Sequence, residues 1–269
     1  MSEPRTLDRR DWAALSDVEA RAAAVRDPVV VLPLGATEQH GPHLPTSTDV
    51  DIGRGILEGA LAILPSAAEV WTLPGVRVGA SLEHARFAGT ESVSTEAMIA
   101  AIVAQGTSLA RAGLRRLVLF NSHGGNRCAL DTAALKLRAE HRMLVVKASW
   151  FRFARPTDVP LPEGEWKHGL HGGAVETAMM LHLRPDQVRR DAIQEFRSLG
   201  ARLERSLRRL GPEGEASFAW LAGDLNDAGV VGDARLATAE IGERLVWHYS
   251  RVLADVILDA RDFPIDELK

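Results

Sequence analysis

Three short blocks of the 269-residue chain gather the residue types that can hold a metal ion or move a proton. The first is Gly35-Ala36-Thr37-Glu38-Gln39-His40-Gly41-Pro42-His43, followed by Asp49 and Asp51. In an extended segment residues i and i+2 point the same way, so Glu38 and His40 can converge on one ion while the Gly/Pro-rich turn returns Asp49 to it. Carboxylate and imidazole are oxygen and nitrogen donors suited to Zn, Mn or Fe(II). Spacing alone leaves a second reading open, in which these are loop residues and Asp49 caps the helix that follows.

The second block is Asn121-Ser122-His123-Gly124-Gly125-Asn126. Its glycines allow close backbone approach and a helix follows, so anion binding at a helix start and metal ligation by His123 are both open. The third, His171-Gly172-Gly173-Ala174-Val175-Glu176, places a histidine and a carboxylate at the start of an apolar helix. Burying Glu176 there is costly unless it is paired or bound to a metal. The alternative is an exposed first-turn carboxylate favoured by the helix dipole. Together the blocks supply the donors of one metal site. His43, Glu83 and His84 can line the same cleft or serve as loop hydrogen-bond partners, and nothing marks Cys128 as a nucleophile. Gly79-Ala80-Ser81-Leu82-Glu83 lacks the second glycine of a G-x-S-x-G elbow, and neither a dinucleotide fingerprint nor a P-loop is present.

Positioning such residues falls to alternating strand-length apolar runs and stretches of helical spacing, the signature of βα units and a mainly parallel sheet. Strands are expected at Val29 to Leu34, Val70 to Leu73, Leu117 to Phe120 and Met143 to Val146. Helices are expected where Ile52, Ile56, Leu57, Ala60 and Leu64 share a face, from Thr95 to a stop at Gly113, through Leu130 to Leu137, over Val175 to Leu183, and late in the chain from Ile241 through Val256. The first two blocks then lie at carboxyl ends of strands, where open α/β sheets bind ligands. The whole chain, 1–269, reads as a single domain, with about 25 N-terminal and about 10 C-terminal residues peripheral.

Composition removes other classes. With 32 Lys+Arg against 36 Asp+Glu the net charge is -4, which leaves no footprint for nucleic acid, and Arg202 to Arg209 reads as one solvated helix face. A single cysteine allows no internal disulfide and points to a reducing, cytoplasmic setting. The charged start MSEPRTLDRRDWAAL lacks a signal peptide's apolar core, and no run reaches the ~18 apolar residues of a membrane span.

The blocks LPLGATEQHGPHLPTSTDVD, FAGT at Phe87 to Thr90, NSHGGN, HGGAVETAMML and GVVGDARLATAEIGERL occur in an order, from about residue 29 to 250, that resembles the creatininase (creatinine amidohydrolase) family. The E-x-H-x8-D spacing of the first block is highly specific. The resemblance implies a three-layer α/β/α sandwich, a centre of two divalent ions (Zn, Mn or Fe) and a homohexamer built as a trimer of dimers. Carried over by residue, Glu38, His40, Asp49 and His123 look like metal ligands, with Asp49 as the bridge, and His171 looks like the catalytic acid/base. Trp150 and Trp166, the latter in PEGEW, are similar to the tryptophans that wall the substrate pocket of creatinine-hydrolysing members, and Ser81 and His84 join them as expected substrate residues. Those members carry a metal-binding glutamate where this chain has Gly125. Branches with the glycine include a formamide deformylase of flavin or deazaflavin biosynthesis and a peptidase of mycofactocin maturation. A second metal therefore needs another anionic donor facing Asp49, and Glu176, five residues after His171, is the candidate. The expected reaction is hydrolysis of a C–N bond in a small, cyclic amide such as creatinine or a related lactam, by water activated between two ions. The alternatives are the deformylase or peptidase activity of the family, or a non-catalytic binding protein on the same fold.

Overall fold

The computed structural model describes residues 10–268. Four parallel strands, β1 (Val29–Leu34), β2 (Val70–Thr72), β3 (Arg116–Asn121) and β4 (Leu144–Ser149), form a sheet in the order β2-β1-β3-β4. Leu34 of β1 is in register with Asn121 of β3, which pairs with Ser149 of β4, so these carboxyl ends lie level.

The strands are apolar without alternation because both faces are covered. On β1, Val29 and Val31 face one core while Val30, Leu32 and Leu34 face the other, and on β3 Val118 and Phe120 oppose Leu117 and Leu119 in the same way. One core is closed by α2 (Thr48–Ile63), α6 (Ala174–Leu183) and the long α9 (Ala239–Asp262), and the other by α3 (Thr95–Arg111) and α4 (Arg127–His141). The result is the three-layer α/β/α sandwich. The helix α9 packs beside α2 and α6 within its layer; a Cβ at Gly242 would stand 1.9 Å from Ala178 O, so that approach requires glycine.

Shorter helices complete the chain: α1 (Asp17–Ala24), started by a Ser16/Glu19 capping box, α5 (Glu163–His168), α7 (Leu199–Leu203) and α8 (Ala222–Leu225). Near the N-terminus Arg10 donates to Ala68 O at 2.7 Å and Trp12 packs edge-on against Trp71 at 6.1 Å, while beyond α9 Ile265 is buried. Among the described residues no helix is long and apolar enough to cross a membrane.

The strand order decides where a ligand fits. From β1 the chain crosses to β2 on one side, whereas from β3 it crosses to β4 on the other, so a crevice opens between the carboxyl ends of β1 and β3.

Candidate metal centre

The loop after β1 brings Glu38 and His40 into that crevice, and α2 returns Asp49 to it. The helix starts at Thr48 after Ser47, with no side-chain cap, so Asp49 stands inside the first turn rather than capping it. Its carboxylate is 3% exposed and points into the crevice. His123 follows β3 directly. Asn121 accepts from His123 N at 3.2 Å and donates to His123 O at 2.8 Å, and Asn126 donates to Gly35 O while accepting from Ala80 N. The asparagines of NSHGGN thus brace the loops, a role that spacing gave no sign of.

Five donors converge. His123 Nδ1 lies 3.2 Å from Glu38 Oε1 and 3.1 Å from Asp49 Oδ2, while His40 Nε2 lies 3.3 Å from Asp49 Oδ1 and 3.8 Å from Glu176 Oε2. Three triads have their donor atoms within 4.8 Å: Glu38–Asp49–His123 and His40–Asp49–Glu176, which share Asp49, and Glu38–His40–His171. Ligands about 2.0–2.2 Å from one tetrahedral ion stand roughly 3.3 Å from each other, the spacing seen here. Glu38 Oε2, His40 Nε2 and Asp49 Oδ2 are buried without a hydrogen-bond partner. Atoms this close that do not bond to one another are aimed at a common point, and burying them unpaired is costly unless a cation satisfies them. The residues present therefore fit divalent ions, and three carboxylates at one point argue against anion binding by the second block.

The imidazoles are set for ligation by their other nitrogens. His123 Nε2 donates to Ala80 O at 3.0 Å and His40 Nδ1 to Glu38 O at 3.1 Å, leaving His123 Nδ1 and His40 Nε2 as lone pairs. Glu176 sits in the first turn of α6, but its side chain is only 12% exposed and accepts from Gly172 N at 2.7 Å, so it is not the solvated carboxylate of the alternative reading.

His171 is held differently. Its Nε2 donates to Gln39 O at 2.8 Å, its bare Nδ1 lies 3.8 Å from Glu38 Oε1, and its ring packs between those of His40 and His84 at 4.1 and 4.2 Å. Burial, then the neighbouring His40 and His84, hold it well below the ordinary imidazole range, so it is a neutral base.

Two further carboxylates matter, Glu165, which spacing did not single out, and Glu83, expected either in the cleft or as a loop partner. Glu165 accepts from Ala174 N and Asp233 N and so ties α5 to the start of α6 and to the strand segment against which His171 pairs through Val231. In PEGEW it is the buried Glu165 that joins these segments, while Trp166 stands in the cavity wall. Glu83 Oε1 lies 3.7 Å from His123 Nε2 and occupies the space above Gly125, where a Cβ would meet it at 2.5 Å and Ala80 O at 2.2 Å. The backbone of this chain excludes a glutamate at that position.

A cavity of about 1670 Å³ opens over the centre, lined by Glu38, Asp49, His123, His171 and Glu176 at its floor and by His84, Trp150 and Trp166 in its walls. Ser81 is not in that lining; its Oγ lies buried behind His123, 3.2 Å from Nε2. The segment Arg202 to Arg209 is solvated as expected but is not one helix face: α7 ends at Leu203, and the exposed Arg205, Arg208 and Arg209 border the cavity mouth.

Metal binding should be strongly pH-dependent. Burial pushes the His40 imidazole down, but Asp49, Glu176 and Glu38 outweigh it and raise it to about 9, while burial raises Glu176 to about 7. Without metal, the stability from His40 is complete below its ordinary 6.5 and lost as pH rises through about 9, and that from protonated Glu176 is lost through about 7. Ligation needs both groups deprotonated. The rise in Tm on adding Mn²⁺ should therefore grow between about pH 6 and about pH 9, measured by calorimetry; a flat or falling increment would contradict this donor set.

A family model described as creatininase, creatinine amidohydrolase, matches residues 13–257. The mycofactocin precursor peptide peptidase of Mycobacterium tuberculosis is 39% identical over 225 residues, covering 81% of this chain and 80% of that protein. The creatinine amidohydrolase of Pseudomonas putida is 31% identical over 192 residues, 66% of this chain and 72% of that one. A solved structure described as a manganese creatininase superposes with a TM-score of 0.77 at 25% identity, covering 95% of this chain and 99% of that one.

Proposed function

The chain belongs to the creatininase family of hydrolases acting on carbon–nitrogen bonds, and from that premise we propose that its substrate is a peptide, cleaved at an amide bond over the metal centre. The observation that carries this reading is the cavity: about 1670 Å³ exceeds the roughly 300–1,000 Å³ of a pocket for a small molecule. The backbone around Gly125, closed to the glutamate of creatinine-hydrolysing relatives, supports it, as does the name of the 39% identical relative. A small cyclic amide such as creatinine is the second reading, favoured by Trp150 and Trp166 in the cavity wall.

Glu38, Asp49 and His123 would hold one ion and His40, Asp49 and Glu176 the other. Divalent ions there supply the positive charge that lowers the pKa of a water from ~15.7 toward ~7 and polarises the amide oxygen. As the water oxygen bonds to the carbonyl carbon, His171 takes its proton at Nδ1. When the C–N bond breaks, the same nitrogen returns that proton to the leaving amine, which departs poorly as an anion. Gln39 O keeps Nε2 protonated throughout and so fixes which nitrogen works.

The deciding experiment incubates the Mn²⁺- or Zn²⁺-loaded protein with short peptides, creatinine, other lactams and cyclic ureides, and N-formyl compounds, with products followed by mass spectrometry. Peptide cleavage is expected; turnover of creatinine or a lactam with peptides untouched would replace this reading by the second. The family resemblance also underlies the proposal of a homohexamer, which light scattering should report at working concentration; a monomer would remove it.

A further inference from the structure

The outer part of the cavity carries a charge pattern that the metal centre does not use. Seven Lys and Arg side chains from separate stretches of chain line it. Four have carboxylate partners: Arg127 with Glu213 at 3.5 Å, Arg155 with Glu163 at 2.6 Å, Lys167 with Glu204, and Arg209 with Glu215. The other three, Arg152, Arg205 and Arg208, form no ion pair within 4.0 Å and no side-chain hydrogen bond among the described residues. Three exposed guanidinium groups at the opening are thus left available to a bound anion, while the carboxylates there, Glu204, Glu213 and Glu215, are already paired. The same lining includes Leu207 and Leu210, 39% and 48% exposed, so the mouth presents both cationic and apolar side chains. That mixture suits an extended peptide bearing both carboxylates and apolar side chains better than a bare phosphate.

We infer that the cavity mouth recognises an acidic stretch of the peptide substrate, with Arg152, Arg205 and Arg208 meeting its carboxylates while the scissile amide lies over the metal centre. This rests on the peptide reading above and adds to it which peptides are taken. Arg is suited to the task because its planar fork engages a carboxylate through two parallel hydrogen bonds and stays charged at any working pH.

The test uses the full Mn²⁺-loaded protein and two fluorescein-labelled peptides of about seven residues that differ only in Glu against Gln, with binding read by fluorescence anisotropy at about 50 and about 300 mM NaCl. The Glu peptide should bind more tightly, and the advantage should shrink at the higher salt. R152Q/R205Q/R208Q should weaken the Glu peptide by about tenfold, the order expected for three solvent-screened ion pairs, and bring it level with the Gln peptide. R77Q/R111Q/R190Q, a matched loss of charge at exposed positions outside the cavity lining, should change neither. Equal affinity for the two peptides, an equal loss in the control triple variant, or a Glu advantage that survives R152Q/R205Q/R208Q (as direct chelation by the metals would) overturns the inference. Cleavage is followed in parallel by mass spectrometry. Selective binding of the Glu peptide without cleavage of any peptide upholds the anion-binding rim and overturns peptide hydrolysis, whereas cleavage of both peptides with equal affinity does the reverse.

Discussion

His171→Ala should keep its metal and lose turnover by about 10²–10⁴-fold, the range for one positioned proton-transfer group. The two triads proposed to hold metal, which share Asp49, do not use this residue, which reaches the centre only through its bare Nδ1, 3.8 Å from Glu38 Oε1. His40→Ala should behave in the opposite way and lose metal, because His40 Nε2 stands between Asp49 and Glu176 with no other partner. Elemental analysis beside kcat for both variants separates the roles. Equal metal loss would mean that His171 is a ligand, a possibility its grouping with Glu38 and His40 makes concrete. The pH profile gives a second check. Burial first of all, with His40 and His84 packed on either face, holds His171 well below 6.5, so its neutral form persists on acidification and the acid limb of kcat should fall below that value. A limb centred at an ordinary histidine's pH would contradict the environment described for His171.

The second large effect concerns Asp49. Since both triads share it, Asp49→Asn should reduce bound metal from about two ions per chain to none and abolish turnover, whereas Glu176→Ala should leave about one, by the two-metal arrangement proposed here. Folding is expected to survive Asp49→Asn, because the amide keeps the shape of the carboxylate, while the metal-free variant gives up the attraction of Asp49 for the His40 and His123 imidazoles. The Tm of each metal-free variant checks this, and metal per chain by elemental analysis checks the stoichiometry. Unchanged metal and activity in Glu176→Ala would return Glu176 to the task of accepting from Gly172 N at 2.7 Å.

Much of this was legible before any coordinates because it depends on local chemistry. The uninterrupted apolar runs of β1 and β3 announce strands covered on both faces, and the i, i+2 spacing of Glu38 and His40 sends both into the same crevice. Gly113, with φ of +89°, ends the turn after α3 as its position suggested. The expectation that Glu176 faces the centre also followed from charge, since a second dication needs a further anion, and its Oε2 lies 3.8 Å from His40 Nε2. Other features depend on groups far apart in the chain. Gln39 O sets the tautomer of His171 across 132 residues, and Glu165 joins α5 to Ala174 and Asp233, partners 9 and 68 residues away. Spacing within a block cannot encode such contacts, because they exist only once the sheet has fixed where the loops meet. The same holds for Ser81, which tertiary packing puts behind His123 instead of at the substrate, and for Arg205 and Arg208. Their charge is plain in the sequence, but that it borders the cavity mouth was decided by where α7 stops at Leu203 and which way the chain turns from there.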